Sequence, residues 1–295
     1  MPELPDIEVY IHALDSRIRG EVLQGLRISS PSVLRTYDPS YETAAGRRVD
    51  ELRRVGKRIV FELEGDLFVV VHLMVAGRLR WETPGKPIPK KVGLAALDFE
   101  TGAVILTEQG TRRRAGVWLF QGWEGVAALD RGGIEPLEAS KAEFASVLMA
   151  ENRTLKRALT DPRILSGIGN AYSDEILWRA QLSPIKRTAQ LTAEETDRLH
   201  QATVDTLQEW TGRLLAEAGD GWPRKVTAFR PEMAVHGKYG HPCSRCGSTV
   251  QRIVFADNET NYCAGCQTGG RLLADRALSR LLKADWPRTL EELEE

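Results

Sequence analysis

Residues 243–266 read CSRCGSTVQRIVFADNETNYCAGC and hold all four cysteines of the chain. The spacing is Cys243-x2-Cys246-x16-Cys263-x2-Cys266. Each short knuckle turns two sulfurs inward, and the intervening hairpin folds the second pair over the first, as a tetrahedral zinc requires. Two disulfides or a redox CxxC are the competing readings; a reducing compartment disfavours the first and the paired arrangement disfavours the second. Four thiolates leave no open coordination position, so one structural Zn2+ is expected. The C-terminal part of the chain is therefore a zinc β-hairpin. Ribbons of this spacing bind DNA, RNA and proteins alike, so the function must be read further upstream.

Just before the hairpin, GDGWPRK (219–225) is a Gly/Pro-containing loop, and the sequence from about Ala142 to Ala218 is helix-rich. Inside it lies LTDPRILSGIGNAYSDEILWRA (159–180), where Gly167 and Gly169 allow a tight turn and Asn170 is a favoured N-cap for the next helix. A helix start of this kind offers backbone N–H groups to a phosphate, although a plain helix–helix corner has the same form. Lys156, Arg157, Arg163 and Arg179 nearby favour a nucleic-acid backbone. From about Gly20 to Gly122 the texture changes to short β-rich runs, RIVFELEG, DLFVVVHLM, GLAALDFE and GAVILTEQG, separated by glycine-bearing turns. This predicts an antiparallel sandwich or barrel. Ahead of it Ile7, Ile11, Leu14 and Ile18 fall on one helical face, with Pro5 in the tolerated first turn. The closing stretch ADRALSRLLKADWPRTLEELEE predicts a helix with an acidic end.

A chain of 295 residues, 42% apolar and 27% charged, is globular and large enough for two domains plus appendages. No run reaches the ~18 apolar residues of a spanning helix, and MPELPDIEVYIHALDSR carries acids where a secretory signal would be basic. A soluble, cytoplasmic protein with no membrane partner is expected. The net charge of -1 decides nothing, because it averages the acidic EELEE end with arginine-dense GTRRRAG and RRVGKR.

Three stretches, MPELPDIE, GIGNAYSDE and CSRCGSTVQRIVFADNETNYCAGCQ, resemble in order and spacing the formamidopyrimidine-DNA glycosylase and endonuclease VIII family. The resemblance covers about residues 1 to 267. It implies an α+β protein: an N-terminal β-sandwich with an N-terminal helix, a helix-two-turn-helix domain and a C-terminal zinc β-hairpin, with DNA held in a cleft. The corresponding divisions are residues 1–128 for the catalytic β-sandwich, 129–141 for a linker, 142–230 for the helix-two-turn-helix domain, 231–268 for the zinc hairpin and 269–295 for a helical or flexible acidic tail.

The chemistry of the residues agrees. Removal of Met1 would free Pro2 as a secondary amine, which titrates near ~8 and is a competent nucleophile at neutral pH. Attack on C1′ of a damaged nucleotide expels the base and leaves an iminium that acidifies the C2′ proton. Glu3 beside that amine can pass protons to the sugar ring oxygen and back. The resemblance assigns these roles to Pro2 and Glu3. It gives Lys57, placed in a strand near the site, a phosphate contact and a proton donation during elimination. Asp6 stands where a glutamate is usual, keeping the charge with a shorter reach. His72 reads as structural. Asn170, Lys156, Arg113 and Arg114 are the matching DNA-binding positions.

The departures bear on lesion choice. The resemblance puts Val75, with Met74 one residue early, where family members fill the hole left by base eversion, and Ala115 where they carry the aromatic of the arginine turn. A small residue cannot wedge a base step, leaving Met74 or Trp222 as other candidates. The segment before the zinc hairpin is too compact for a long lesion-capping loop, and the histidine expected after the wedge loop is replaced by apolar residues of VGLAAL. The hairpin arginine aligns with Asn258, while Arg252 is expected on the strand. The expected function is a base-excision-repair DNA glycosylase with abasic-site lyase activity, acting as a monomer on damaged or abasic double-stranded DNA. The alternatives are an abasic-site lyase with little glycosylase activity and a non-catalytic damaged-DNA-binding protein.

Overall fold

The computed structural model describes residues 1–110, 112–255, 258–273, 281 and 287–294. Contacts divide the chain into two compact units, Met1–Arg131 with Trp210–Ala228, and Gly132–Glu209 with Phe229–Glu295. The mixed α and β composition and the two-sheet N-terminal region agree with the expected fold class.

The first unit opens with helix α1 (Leu4–Ile18), whose apolar stripe, Ile7, Tyr10, Leu14 and Ile18, is buried. Among the described residues nine strands follow: β1 (Val22–Leu23), β2 (Gly25–Ile28), β3 (Arg47–Val55), β4 (Arg58–Leu63), β5 (Leu67–His72), β6 (Gly77–Glu82), β7 (Gly93–Asp98), β8 (Ala103–Glu108) and β9 (Gly116–Gln121). They form antiparallel sheets of order β1-β3-β4-β5-β9 and β2-β7-β8-β6. Residues of both sheets meet in one core, so the expected sandwich is what forms.

The near-continuous apolar runs of β4 and β5 follow from burial on two faces. Ile59, Phe61, Leu63, Val69 and Val71 enter the main core. The alternate residues Val60, Phe68 and Val70 pack with Val126 of the short helix α2 (Trp123–Ala127). Each such side chain contributes about 1.5–3 kcal/mol on burial. The GDGWPRK loop lies against this unit. Trp222 stacks on Trp81 at 6.1 Å and its indole N–H donates to the Leu79 carbonyl at 3.1 Å.

The second unit contains α3 (Lys141–Met149), α4 (Leu155–Thr160), α5 (Asn170–Arg179) and the first part of α6 (Ala193–Ala218). The zinc module follows as hairpin β10 (Val250–Phe255) and β11 (Asn258–Cys263), then α7 (Ala264–Thr268). Ile253, Tyr262, Leu272 and Leu273 make a small core onto which Leu290 packs. The end of the chain thus returns to the hairpin, with Leu272 N–H donating to the Arg288 carbonyl at 2.8 Å. Most of the helix expected over 274–295 lies outside the described residues. Among the described residues no helix is long and apolar enough to cross a membrane.

Candidate active site and metal centre

Pro2, Glu3 and Asp6 are all buried at the start of α1. Glu3 is the N-cap, and its backbone N–H donates to Asp6 Oδ2 at 2.9 Å. An aspartate at the third helical position closes a capping box here, so its short reach suffices to fix the Pro2–Glu3 backbone. Burial pushes the amino-terminal group on Met1 below its ordinary value, against the pull of Glu3, and Arg78 lowers it further. Burial likewise lowers the Lys57 ammonium, opposed by the Glu3 and Asp6 carboxylates. Glu3, Asp6, Lys57 and Arg78 therefore surround one amine. Arg78 escaped the sequence reading, since an arginine opening a strand carries no motif.

Lys57 lies in the two-residue turn between β3 and β4 rather than in a strand. Gly56 takes φ 61, a left-handed value that a hairpin loop of this length needs at its first position and that glycine adopts without strain. Sequence periodicity runs RRVGKRIVF together because both flanking strands are long and paired.

Met74 and Val75 sit in the turn joining β5 to β6. Val75 is 55% exposed, whereas Met74 is half-buried with φ 51. Met74 N–H donates to His72 Nδ1 at 3.1 Å. That ring nitrogen can accept only when the imidazole is neutral. Burial, then Arg58 and Lys57, lower His72 from 6.5 to about 4. Gly77 closes the turn, and a Cβ there would meet the Leu73 carbonyl oxygen at 2.2 Å. His72 is thus structural, as expected, with a defined task.

Arg113 and Arg114 are exposed in the loop before β9. The loop is held by Glu108, 2% exposed, whose Oε2 accepts from the backbone N–H groups of Arg114 at 2.7 Å and Ala115 at 2.9 Å. Ala115 itself is 2% exposed and belongs to the core. The pattern TRRRAG gave no sign that its alanine turns inward. Trp222 is also committed, through its stack and its bond to Leu79.

In the second unit Asn170 is the first residue of α5, and Gly169 takes the cap position expected for it. Its side chain is used elsewhere: Nδ2 donates to the Glu259 carbonyl of β11 at 2.9 Å. Lys156 Nζ reaches the Asn170 carbonyl at 2.7 Å and Asp174 Oδ1 at 2.5 Å. It therefore supports Asn170 as part of an ion pair. Fully buried Asp174 also holds His236 Nδ1 at 2.8 Å and Asn261 N–H at 3.2 Å. Beside it Glu175 accepts the N–H groups of Ala234, Val235 and His236, and its burial raises its carboxyl above the usual range. The acids of GNAYSDE thus tie α5 to the zinc module, a task their spacing alone did not reveal.

The Sγ atoms of Cys243, Cys246, Cys263 and Cys266 all lie within 4.8 Å of one another. Zn–S bonds of ~2.3 Å in a tetrahedron require separations of about 3.8 Å, and Cys243 and Cys266 stand at 3.9 Å. The Trp178 indole N–H donates to Cys243 Sγ at 3.3 Å, an outer contact that steadies a thiolate. Asn258 begins β11 opposite Phe255. Arg252 is on the strand, as expected, stacked 4.3 Å over Tyr239 and 3.3 Å from Glu259.

Three family models match along the chain. The formamidopyrimidine-DNA glycosylase N-terminal domain matches residues 1–117, the formamidopyrimidine-DNA glycosylase H2TH domain residues 133–212, and the zinc finger found in FPG and IleRS residues 240–269. The formamidopyrimidine-DNA glycosylase of Chloroflexus aurantiacus is 34% identical over 276 residues, covering 90% of this chain and 98% of the relative. The chain belongs to the formamidopyrimidine-DNA glycosylase family. That of Herpetosiphon aurantiacus is 30% identical over 282 residues, covering 90% of this chain and all of the relative. Among solved structures, a complex of Lactococcus lactis Fpg with DNA containing an abasic site superposes with a TM-score of 0.80 at 26% identity, covering 90% of this chain and 99% of that one. A complex of the same Fpg with Fapy-dG-containing DNA gives 0.79 at 26%, covering 90% and 100%. The protein is accordingly an enzyme of the DNA-glycosylase class, and its four cysteines hold a structural zinc.

Proposed function

We propose that the protein excises damaged bases from double-stranded DNA and opens the strand at the resulting abasic site, with Pro2 as nucleophile once Met1 is removed. The observation that carries this is the burial of Pro2 and Glu3 at one helix start, beside a lysine whose ammonium the same burial weakens. The Pro2 nitrogen bonds to C1′ while the glycosidic bond breaks and the base departs with the electron pair. Glu3 protonates the ring oxygen O4′, which opens the sugar and gives the iminium. Loss of the C2′ proton then breaks the C3′–O bond and releases the 3′-side strand with a 5′ phosphate, and water frees the amine. Lys57 holds the neighbouring phosphate and supplies a proton, while Asp6 positions Glu3 through the capping box.

In this reading Met74, Val75, Arg113, Arg114, Lys156, Asn170 and Asn258 contact or support contact with DNA, and the domain divisions are those expected from sequence except that residues 210–228 group with the sandwich unit. The zinc module holds its hairpin for that contact. The experiment is borohydride trapping on an abasic duplex, with the adduct mapped by mass spectrometry. Trapping on Pro2, strongly reduced in Pro2→Gly and abolished by an N-terminal extension, is expected. Undiminished trapping by the extended chain removes Pro2 from the mechanism. A second reading, a lyase with little glycosylase activity, draws on the inward-turned Ala115, which leaves the gap of an everted base with less to fill it.

A further inference from the structure

Phe255 is 47% exposed at the last position of β10, next to the tip of the zinc hairpin. Strand alternation puts it on the same face as Gln251 and Ile253, which are 8% and 1% exposed. That face is therefore packed for most of the strand, and the hairpin carries its aromatic ring past the end of the packing. The tip reads VFADNE, with two carboxylates and no cation. Arg252, the next cation along β10, is occupied by Tyr239 and Glu259. The tip thus offers a phosphate the neutral amide of Asn258 but no cation, and beside that amide stands the exposed face of an apolar ring. The opposing strand is anchored at Glu259 by the amide of Asn170, so the ring is presented from the same hairpin that Asn170 grips.

We infer that Phe255 stacks on a nucleobase left unstacked beside a missing or extruded nucleotide, making the hairpin tip an aromatic platform. The inference rests on the functional reading above. Every base has a π-face, so such a contact is tolerant of sequence, and being uncharged it contributes to affinity without counterion release.

The test uses the full-length zinc-loaded protein and duplexes containing a tetrahydrofuran abasic analogue flanked by 2-aminopurine, with affinity measured across a salt series. Phe255→Ala is expected to weaken binding roughly tenfold, the size of one base–aromatic stack, with an unchanged salt slope. Phe255→Trp is expected to restore it. Independently of any variant, the wild-type protein should quench the 2-aminopurine signal on binding; absence of quenching overturns the inference. It is also overturned by Phe255→Ala affinity within twofold of wild type, or by a loss accompanied by a flatter salt slope. A wild-type protein that traps abasic DNA with Phe255→Ala unaffected sinks this inference alone, whereas one that neither traps nor binds sinks the functional reading with it.

Discussion

In the proposed reading Val75 and Ala115 are two of the positions from which the gap of an everted base could be filled, and of these only Val75 is exposed. Adding a ring at Ala115 therefore overpacks the sandwich core, at a cost of about 1–3 kcal/mol. Ala115→Phe is expected to lower the melting temperature without improving excision from paired lesions. Val75→Met, by contrast, is expected to raise single-turnover excision from well-stacked pairs severalfold at unchanged stability. An Ala115→Phe protein that melts normally and excises faster would contradict this. Asn258 raises a different question, how the strand ends. A second elimination needs the 5′-side phosphate held by a cation, and charge-assisted bonds are roughly twice as strong as those of a neutral amide. Cleavage is expected to stop at a 3′ unsaturated aldehyde, and Asn258→Arg to shift it toward a 3′ phosphate on a sequencing gel. A predominant 3′ phosphate from the unaltered protein refutes the early stop.

At the scale of elements, the β5–β6 turn is tied by one uncharged ring nitrogen. His72 has its ordinary value of 6.5 in the unfolded chain and about 4 when folded, so the unfolded state takes up the proton first. Its contribution is complete above pH 6.5, falls as the pH drops toward 4, and is constant below that. Urea titrations over this interval should show a slope that His72→Asn lacks; equal slopes would remove His72 from the account. Elements built on repetition were legible in the sequence. The α1 stripe of Ile7, Leu14 and Ile18, the apolar runs of β4, β5, β7 and β8, and the cysteine pairs all announce themselves by period or spacing. What was not legible depends on long-range contacts. Asn170 spent on Glu259 and Lys156 on Asp174 join residues well separated in the chain, and Glu108 folds back through its own loop onto the Arg114–Ala115 backbone; single-sequence periodicity carries none of these pairings. The turn at Lys57 was missed because its two strands are close enough in sequence to read as one.

For the whole molecule, the zinc separates two kinds of stability. Chelation or Cys246→Ser should unfold the hairpin and abolish duplex binding together, because that module's fold is built around the metal. The sandwich has its own large core and should keep its thermal transition. Retained duplex affinity after verified zinc loss would overturn this. The same sandwich has a history imposed by chain order. Its unit takes back Trp210–Ala228 after an excursion through the other unit, and Trp222 and Val226 are what pack against its core. On the ribosome, at ~5–20 residues per second, roughly 5 to 20 seconds separate the emergence of Arg131 from that of Ala228. Throughout that interval Tyr10 and Trp81 lack their indole partner, so the part of the protein made first is completed late, and a nascent chain paused in the excursion presents sticky aromatic surface to chaperones.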